Sequence, residues 1–200
     1  MKKYNSFNDL SSLKEAFEKG EVIAFPTDTV FGLACIFDDE KAIERLKGIK
    51  RRDAHKPLPM MCANIPMMQE VAVMSDEAIK LAESFFPGPL TIILKKREEV
   101  PSFVTNGFET IGIRIPDYEG VLKLIEYIGK PLLVTSANIS NEPALKHYKD
   151  VENSLKEIDG IIEMDAESEL ASTIVDMTDG FKILRKGLIK EEDIKRVLGR

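Results

Sequence analysis

The feature that most constrains this chain is the way short apolar strand-like runs alternate with helical patterns, while several neighbouring runs stand too close together to hold a helix between them. VIAFP at Val22–Pro26 is followed by LACIF at 33–37, with only residues 27–32 between them, and TIVDM at 173–177 is followed by FKILR at 181–185. A parallel crossover needs about a dozen residues, so connections this short argue against a purely parallel sheet. Between them lie the β-rich runs LTIIL at 90–94, TIGIRI at 110–115 and PLLVTS at 131–136. Helical spacing appears at Leu10, Leu13, Ala16 and Phe17, with Asn8 as N-cap and Gly20 as stop. Asp39 can cap a helix carrying Ala42, Ile43 and Leu46, and Ser75 one that runs through Phe85 to PGP at 87–89. Two more helices are expected, around Tyr118–Ile128 and over Lys190–Leu198. Interleaved elements with short strand connections predict an α/β fold with a mixed sheet, flanked by helices. With 44% hydrophobic residues and no Pro/Gly/Ser-rich linker in 200 residues, one domain over 1–200 is expected.

Several classes of function are disfavoured. The longest apolar runs fall far short of the about 20 residues of a membrane span, and the N-terminus has no apolar core of a secretory signal, so a cytoplasmic protein without membrane contact is expected. Cys35 and Cys62 lack metal-ligand spacing and read as small buried residues. The methionines at 60, 61, 67, 68 and 74 read as adaptable core filler, and no metal-ligating residues are assigned. A net charge of −6 argues against a surface built to coat nucleic acid. Within this acidic chain, however, Lys47, Lys50, Arg51, Arg52 and Lys56 are opposed only by Asp53.

The chemistry-bearing motifs sit at strand ends. PTDTVFGL, Pro26–Leu33, places hydroxyls and an aspartate directly after an apolar strand, where α/β proteins commonly hold ligands. An Asx or ST turn that touches no ligand would look the same. In IKRRDAHKPL, Lys50, Arg52 and Lys56 are spaced to converge on one polyanion, and guanidinium forks suit phosphate oxygens. In TIGIRIP, residues Thr110, Gly112 and Arg114 alternate onto one strand face. Ser136 and Asn138 of TSANIS, Ser172 and Thr173 of ASTIVDM, and Arg185 of ILRKG add further donors. No motif pairs Cys35, Cys62, His55 or His147 as a nucleophile, so no covalent intermediate is expected.

PTDTVFGL, Lys-x-Arg followed by KPL, PGPLT, TIGIRIP, SANIS, STIVD and LRKG occur here in the order that resembles the Sua5/YrdC/YwlC family of threonylcarbamoyl-AMP synthases, over about Gly20 to Gly187. The length resembles the family's short, catalytic-domain form. The resemblance implies a twisted α/β sheet with a large, concave, basic cavity that takes ATP with Mg²⁺, L-threonine and bicarbonate. Carried over by residue, it implies catalytic roles for Lys50 and Arg52. It implies nucleotide contacts from these two and from Lys56, Arg114, Ser136, Asn138 and Arg185, and a threonine site of Thr29, Thr110 and Ser172. The implied enzyme is a nucleotidyltransferase that forms L-threonylcarbamoyladenylate and pyrophosphate for the N6-threonylcarbamoyl modification of tRNA adenosine. Its product would pass to separate transferase proteins. Three positions depart from the family pattern: Asp53 for proline, Phe31 for tyrosine, and Asn141 for the glycine after SANxS. Asparagine is the mildest of these, because it tolerates the left-handed conformation. Two other readings stand beside this one, a paralogue similar to the YciO group and a module that grips tRNA or double-stranded RNA through the same basic cavity.

Overall fold

A computed structural model describes every residue except Ala54 and Glu169. The strands are β1 (Lys2–Tyr4), β2 (Ile23–Phe25), β3 (Gly32–Ile36), β4 (Met60–Met61), β5 (Ala72–Val73), β6 (Leu90–Lys96), β7 (Thr110–Arg114), β8 (Leu132–Ser136), β9 (Gly160–Ile162), β10 (Thr173–Asp176) and β11 (Lys182–Arg185). The α-helices are α1 (Leu10–Glu18), α2 (Glu40–Ile49), α3 (Ile65–Val71), α4 (Asp76–Phe85), α5 (Glu119–Ile128), α6 (Tyr148–Ser154) and α7 (Glu191–Leu198). The described strands form one sheet in the order β1-β9-β2-β3-β8-β4-β7-β6-β10-β11, with β5 paired to the far end of β6. The sheet is mixed, as the short connections predict: β2/β3 and β10/β11 are antiparallel, whereas β4/β7 and β6/β10 are parallel.

Strand periodicity divides the core between the two faces. Val22, Ala24, Leu33, Cys35 and Leu133 belong to one buried cluster, which also holds Leu46 of α2, Leu81 of α4 and Ile194 of α7. Ile23, Phe25, Ala34, Ile36, Leu132 and Val134 belong to the other, with Phe17 of α1 and Leu124 of α5. Successive side chains leave opposite faces of a strand, so these runs are apolar throughout because both faces are covered. Met60, Met61 and Met68 are buried, and Met67 and Met74 pack against the core, as filler should. Both cysteines are free and buried.

Caps explain most helix starts. Asp39 accepts from the amides of Lys41 and Ala42, and Ser75 from that of Ala78. One expected cap shifts by a residue. Asp9 accepts from Ser12 N at 3.1 Å and caps α1, while the Asn8 amide turns to Ser6 Oγ. Asp9 lies three residues before that amide, the spacing an N-cap needs. Gly20 ends the segment at φ +75°, as a C-terminal stop should. No helix among the described residues is long and apolar enough to cross a membrane.

Candidate functional site

A cavity of about 530 Å³ lies over one face of the central strands, where Thr91 and Ile93 of β6, Gly112 and Arg114 of β7 and Val134 and Ser136 of β8 line it. Its walls come from the β2–β3 connection, the segment after α2, the end of β7, the segment after β8, and the ends of β10 and β11. The motifs that are scattered along the chain therefore meet in space because their strands are neighbours in the sheet.

The β2–β3 connection is a tight polar turn. Thr27 Oγ1 donates to Val30 O at 2.7 Å and accepts from Thr29 N at 3.1 Å, so the first threonine folds the loop around itself. Both threonines are almost wholly buried. The carbonyls of Thr27 and Thr29 accept from the amides of Glu167 and Ser168, which tie the turn to the segment before β10. Gly32 follows because a Cβ there would lie 2.9 Å from Val134 Cγ1. The motif therefore forms the polar turn, and Thr27 and Thr29 also line the cavity.

Arg114 is fixed by three hydrogen bonds to two segments. Its Nε donates to Gly88 O at 3.0 Å, Nη1 to Thr29 Oγ1 at 2.7 Å and Nη2 to Asp28 Oδ2 at 2.6 Å. Asp28 and Arg114 are both more than nine-tenths buried, and Asp28 Oδ1 has no hydrogen-bond partner. On the opposite wall Arg185 donates to Ser172 O at 3.0 Å and Ser172 Oγ at 3.1 Å, and Ser172 Oγ in turn meets Thr91 Oγ1 at 2.8 Å. Arg52 donates to the carbonyls of Lys56 and Pro57. Arg185 is thus oriented by neutral oxygens, whereas Arg52 is oriented by carbonyl oxygens and has Asp53 as a nearby countercharge. Burial pulls the pKa of all three guanidinium groups below the ordinary value; at Arg114 Asp28 opposes that shift, and at Arg52 Asp53 does. Arginine stays protonated regardless, so the desolvated charge favours an anion in the cavity.

Most of the expected site residues assemble here. Thr29, Arg52, Lys56, Arg114, Ser136, Asn138, Ser172 and Arg185 all line the cavity. Two do not. Thr110 lines a separate hollow with Val73, Lys95 and Glu109. It lies at the other end of β7 from Arg114, about 13 Å along the strand, beyond Gly112, the last β7 residue in that direction that lines the cavity. Lys50 is 1% exposed and stands behind the wall, where its Nζ donates to Ser136 O, to Asn138 O at 2.8 Å and to Asn138 Oδ1 at 3.1 Å. Burial, and then the nearby charge of Arg52, lowers its ammonium to about 8.

Asp28 and Thr91 have no role assigned from the sequence, and Thr27 only that of a hydroxyl in the motif. The PTDT and PGPLT motifs already contained them, and only their positions against Arg114 and Ser172 show what they do. The three departures are also accounted for in place. Asn141 adopts φ +72°, the left-handed conformation that a glycine would supply. Phe31 is fully buried in the core and lines the cavity floor with carbon. Asp53 accepts from His55 N at 3.0 Å and closes the turn that returns Lys56 toward Arg52.

A known family model, described as telomere recombination (Sua5, YciO, YrdC), matches residues 15–187. The chain belongs to the Sua5/YciO/YrdC family. It is 37% identical over 185 residues to the threonylcarbamoyl-AMP synthase of Pyrococcus abyssi, covering 90% of this chain and 54% of that protein. The solved structure of P. abyssi Sua5 complexed with L-threonine superposes with a TM-score of 0.91 at 33% identity, over 99% of this chain and 60% of that one. Escherichia coli YciO superposes at 0.85 with 26% identity, over 92% of both chains. The chain thus spans little more than half of the P. abyssi relative and nearly all of YciO.

Proposed function

We propose that this chain is a threonylcarbamoyl-AMP synthase, an enzyme that transfers the adenylyl group of ATP to N-carboxy-threonine. The observation that carries the reading is the charge of the cavity wall. Arg52, Lys56, Arg114 and Arg185 converge there with Glu142 as the one lining carboxylate among the described residues, and Asp28 behind the wall balances Arg114 alone. Such a cavity suits a triphosphate. The names of the relatives supply the rest of the substrate set.

The chemistry asks for positioning and charge neutralisation. The threonine amine adds to bicarbonate, loses water and becomes a carbamate. A carbamate oxygen then attacks the α-phosphorus, and pyrophosphate leaves with the electrons of the broken P–O bond. Fixed guanidinium groups stabilise the charge that builds on the phosphates, and no covalent protein intermediate is needed. The hydroxyls of Thr29 and Ser172, each already oriented by an arginine, stand in the same cavity and suit the amino acid. No group of three metal-ligating side chains occurs among the described residues. Mg²⁺ would arrive on the triphosphate, and Glu142 is the wall carboxylate that would help to hold it. The reactive mixed anhydride would leave for a separate transferase that acts on tRNA.

The test is pyrophosphate release. Turnover of ATP should require both threonine and bicarbonate, proceed without tRNA, and fall much further with valine than with serine, because a site that pairs the substrate hydroxyl is left unmatched by valine. Release independent of threonine, or none at all, would favour a YciO-like paralogue with a different activity.

A further inference from the structure

The two cations of the Lys-x-Arg motif point in different directions, and the backbone between them explains why. Helix α2 ends in a Schellman turn, with Arg51 N bonded to Gly48 O and Arg52 N to Lys47 O, both at 2.9 Å. Arg51 occupies the left-handed position of that turn at φ +49°, where glycine is usual. The reversal sends Lys50 inward and Arg52 into the cavity wall.

Lys50 then meets the segment after β8 through both its side chain and its backbone. An ammonium has three hydrogens, and Ser136 O, Asn138 O and Asn138 Oδ1 supply three acceptors. The Lys50 carbonyl accepts from Ser140 N at 2.8 Å. Asn138 is committed in turn: with Oδ1 on Lys50, its Nδ2 donates to Ile139 O and Glu142 O. The lysine therefore fixes which way the Asn138 amide faces and closes residues 136–142 into one loop. A phosphate contact from Nζ would break this arrangement and strand buried carbonyl oxygens without a donor.

We propose that Lys50 is a positioning residue, which braces the 136–140 segment so that Ser136 faces the cavity, and that Arg52 alone of the pair contacts the nucleotide. The inference rests on the proposed function for its ligand, and it separates two cations that the motif presents as equivalent. Its test compares Lys50→Met with Arg52→Ala in three measurements: calorimetric binding of a non-hydrolysable ATP analogue, steady-state pyrophosphate release, and amide hydrogen exchange. Lys50→Met should bind the analogue within about threefold of the unsubstituted protein, lose about tenfold or more in kcat, and exchange faster at residues 136–140. Arg52→Ala should lose about tenfold or more in affinity with that exchange unchanged. An affinity loss in Lys50→Met matching that of Arg52→Ala, with 136–140 still protected, would overturn the proposal. If Lys50→Met does not fold, a crystal structure of the unsubstituted protein with the analogue decides: Nζ retained on Ser136 O and Asn138 O supports the brace, and Nζ on a phosphate oxygen refutes it. Failure of the unsubstituted protein to bind the analogue would strike the proposed function. The brace would then be judged by exchange alone, with faster exchange in Lys50→Met sustaining it and unchanged exchange ending it.

Discussion

Two depressions on the same sheet differ in charge balance more than in size. The cavity of about 530 Å³ gathers Arg52, Lys56, Arg114 and Arg185 against Glu142, whereas the hollow of about 730 Å³ near Thr110 sets Lys95, Lys96 and Arg97 among Glu98, Glu99, Glu109 and Asp179. In the hollow, three cations stand among four carboxylates, so its lining is close to balanced in charge. In the cavity four cations face one lining carboxylate among the described residues, and of them Arg114 is ion-paired with Asp28 behind the wall, so the lining carries an excess of positive charge. Volume is thus a poor guide to a site; uncompensated, pre-oriented charge is a better one.

The largest expected effect tests whether Asp28, whose side chain is buried beside the cavity, balances Arg114. Asp28→Ala strands that guanidinium without a counter-charge and should cost about 3 kcal/mol of stability in denaturant unfolding. Glu109→Ala, an exposed carboxylate of the hollow, should change stability by less than about 0.5 kcal/mol. Equal effects would erase the contrast between a buried pair and a solvated cluster.

Arg185→Ala should weaken ATP binding by about 1.5–3 kcal/mol in calorimetry, the range of a charge-assisted hydrogen bond, with its melting temperature nearly unchanged. Lys95→Ala, from the hollow, should leave ATP affinity unaltered. A smaller effect is expected where the backbone pays for separating Lys50 from Arg52: Arg51→Gly should raise stability by about 1 kcal/mol, because glycine adopts φ +49° without the Cβ penalty. The smallest concerns Thr110. Thr110→Ala should leave the KM for threonine unchanged, whereas Ser172→Ala, in the cavity, should raise it. A Thr110 effect as large as that of Ser172 would mean that the hollow belongs to the site after all.

Much of this was legible in the chain. The runs at 90–94, 110–115 and 131–136 and the helices starting after Asp39 and Ser75 fall where periodicity and capping put them. The elements that pattern missed are brief: β1 and β9 have three residues each and β4 and β5 two each, too short for any period to show. Their pairing partners make them strands. Helices α3 and α6, at seven residues each, are missed for the same reason.

The sequence by itself determined which groups could do chemistry, because residue type decides charge, donor count and backbone tolerance. The hydroxyls of PTDT, the guanidinium groups at 52, 114 and 185, and the left-handed tolerance of Asn141 are all local properties. Tertiary structure decided which of them act together. Strand order brought Arg52, Arg114 and Arg185 to one cavity, strand length carried Thr110 away from it, and the turn at Arg51 put Lys50 behind the wall. None of these follows from spacing along the chain, since which strands become neighbours and which side a residue faces are set by pairing and burial across the whole sheet.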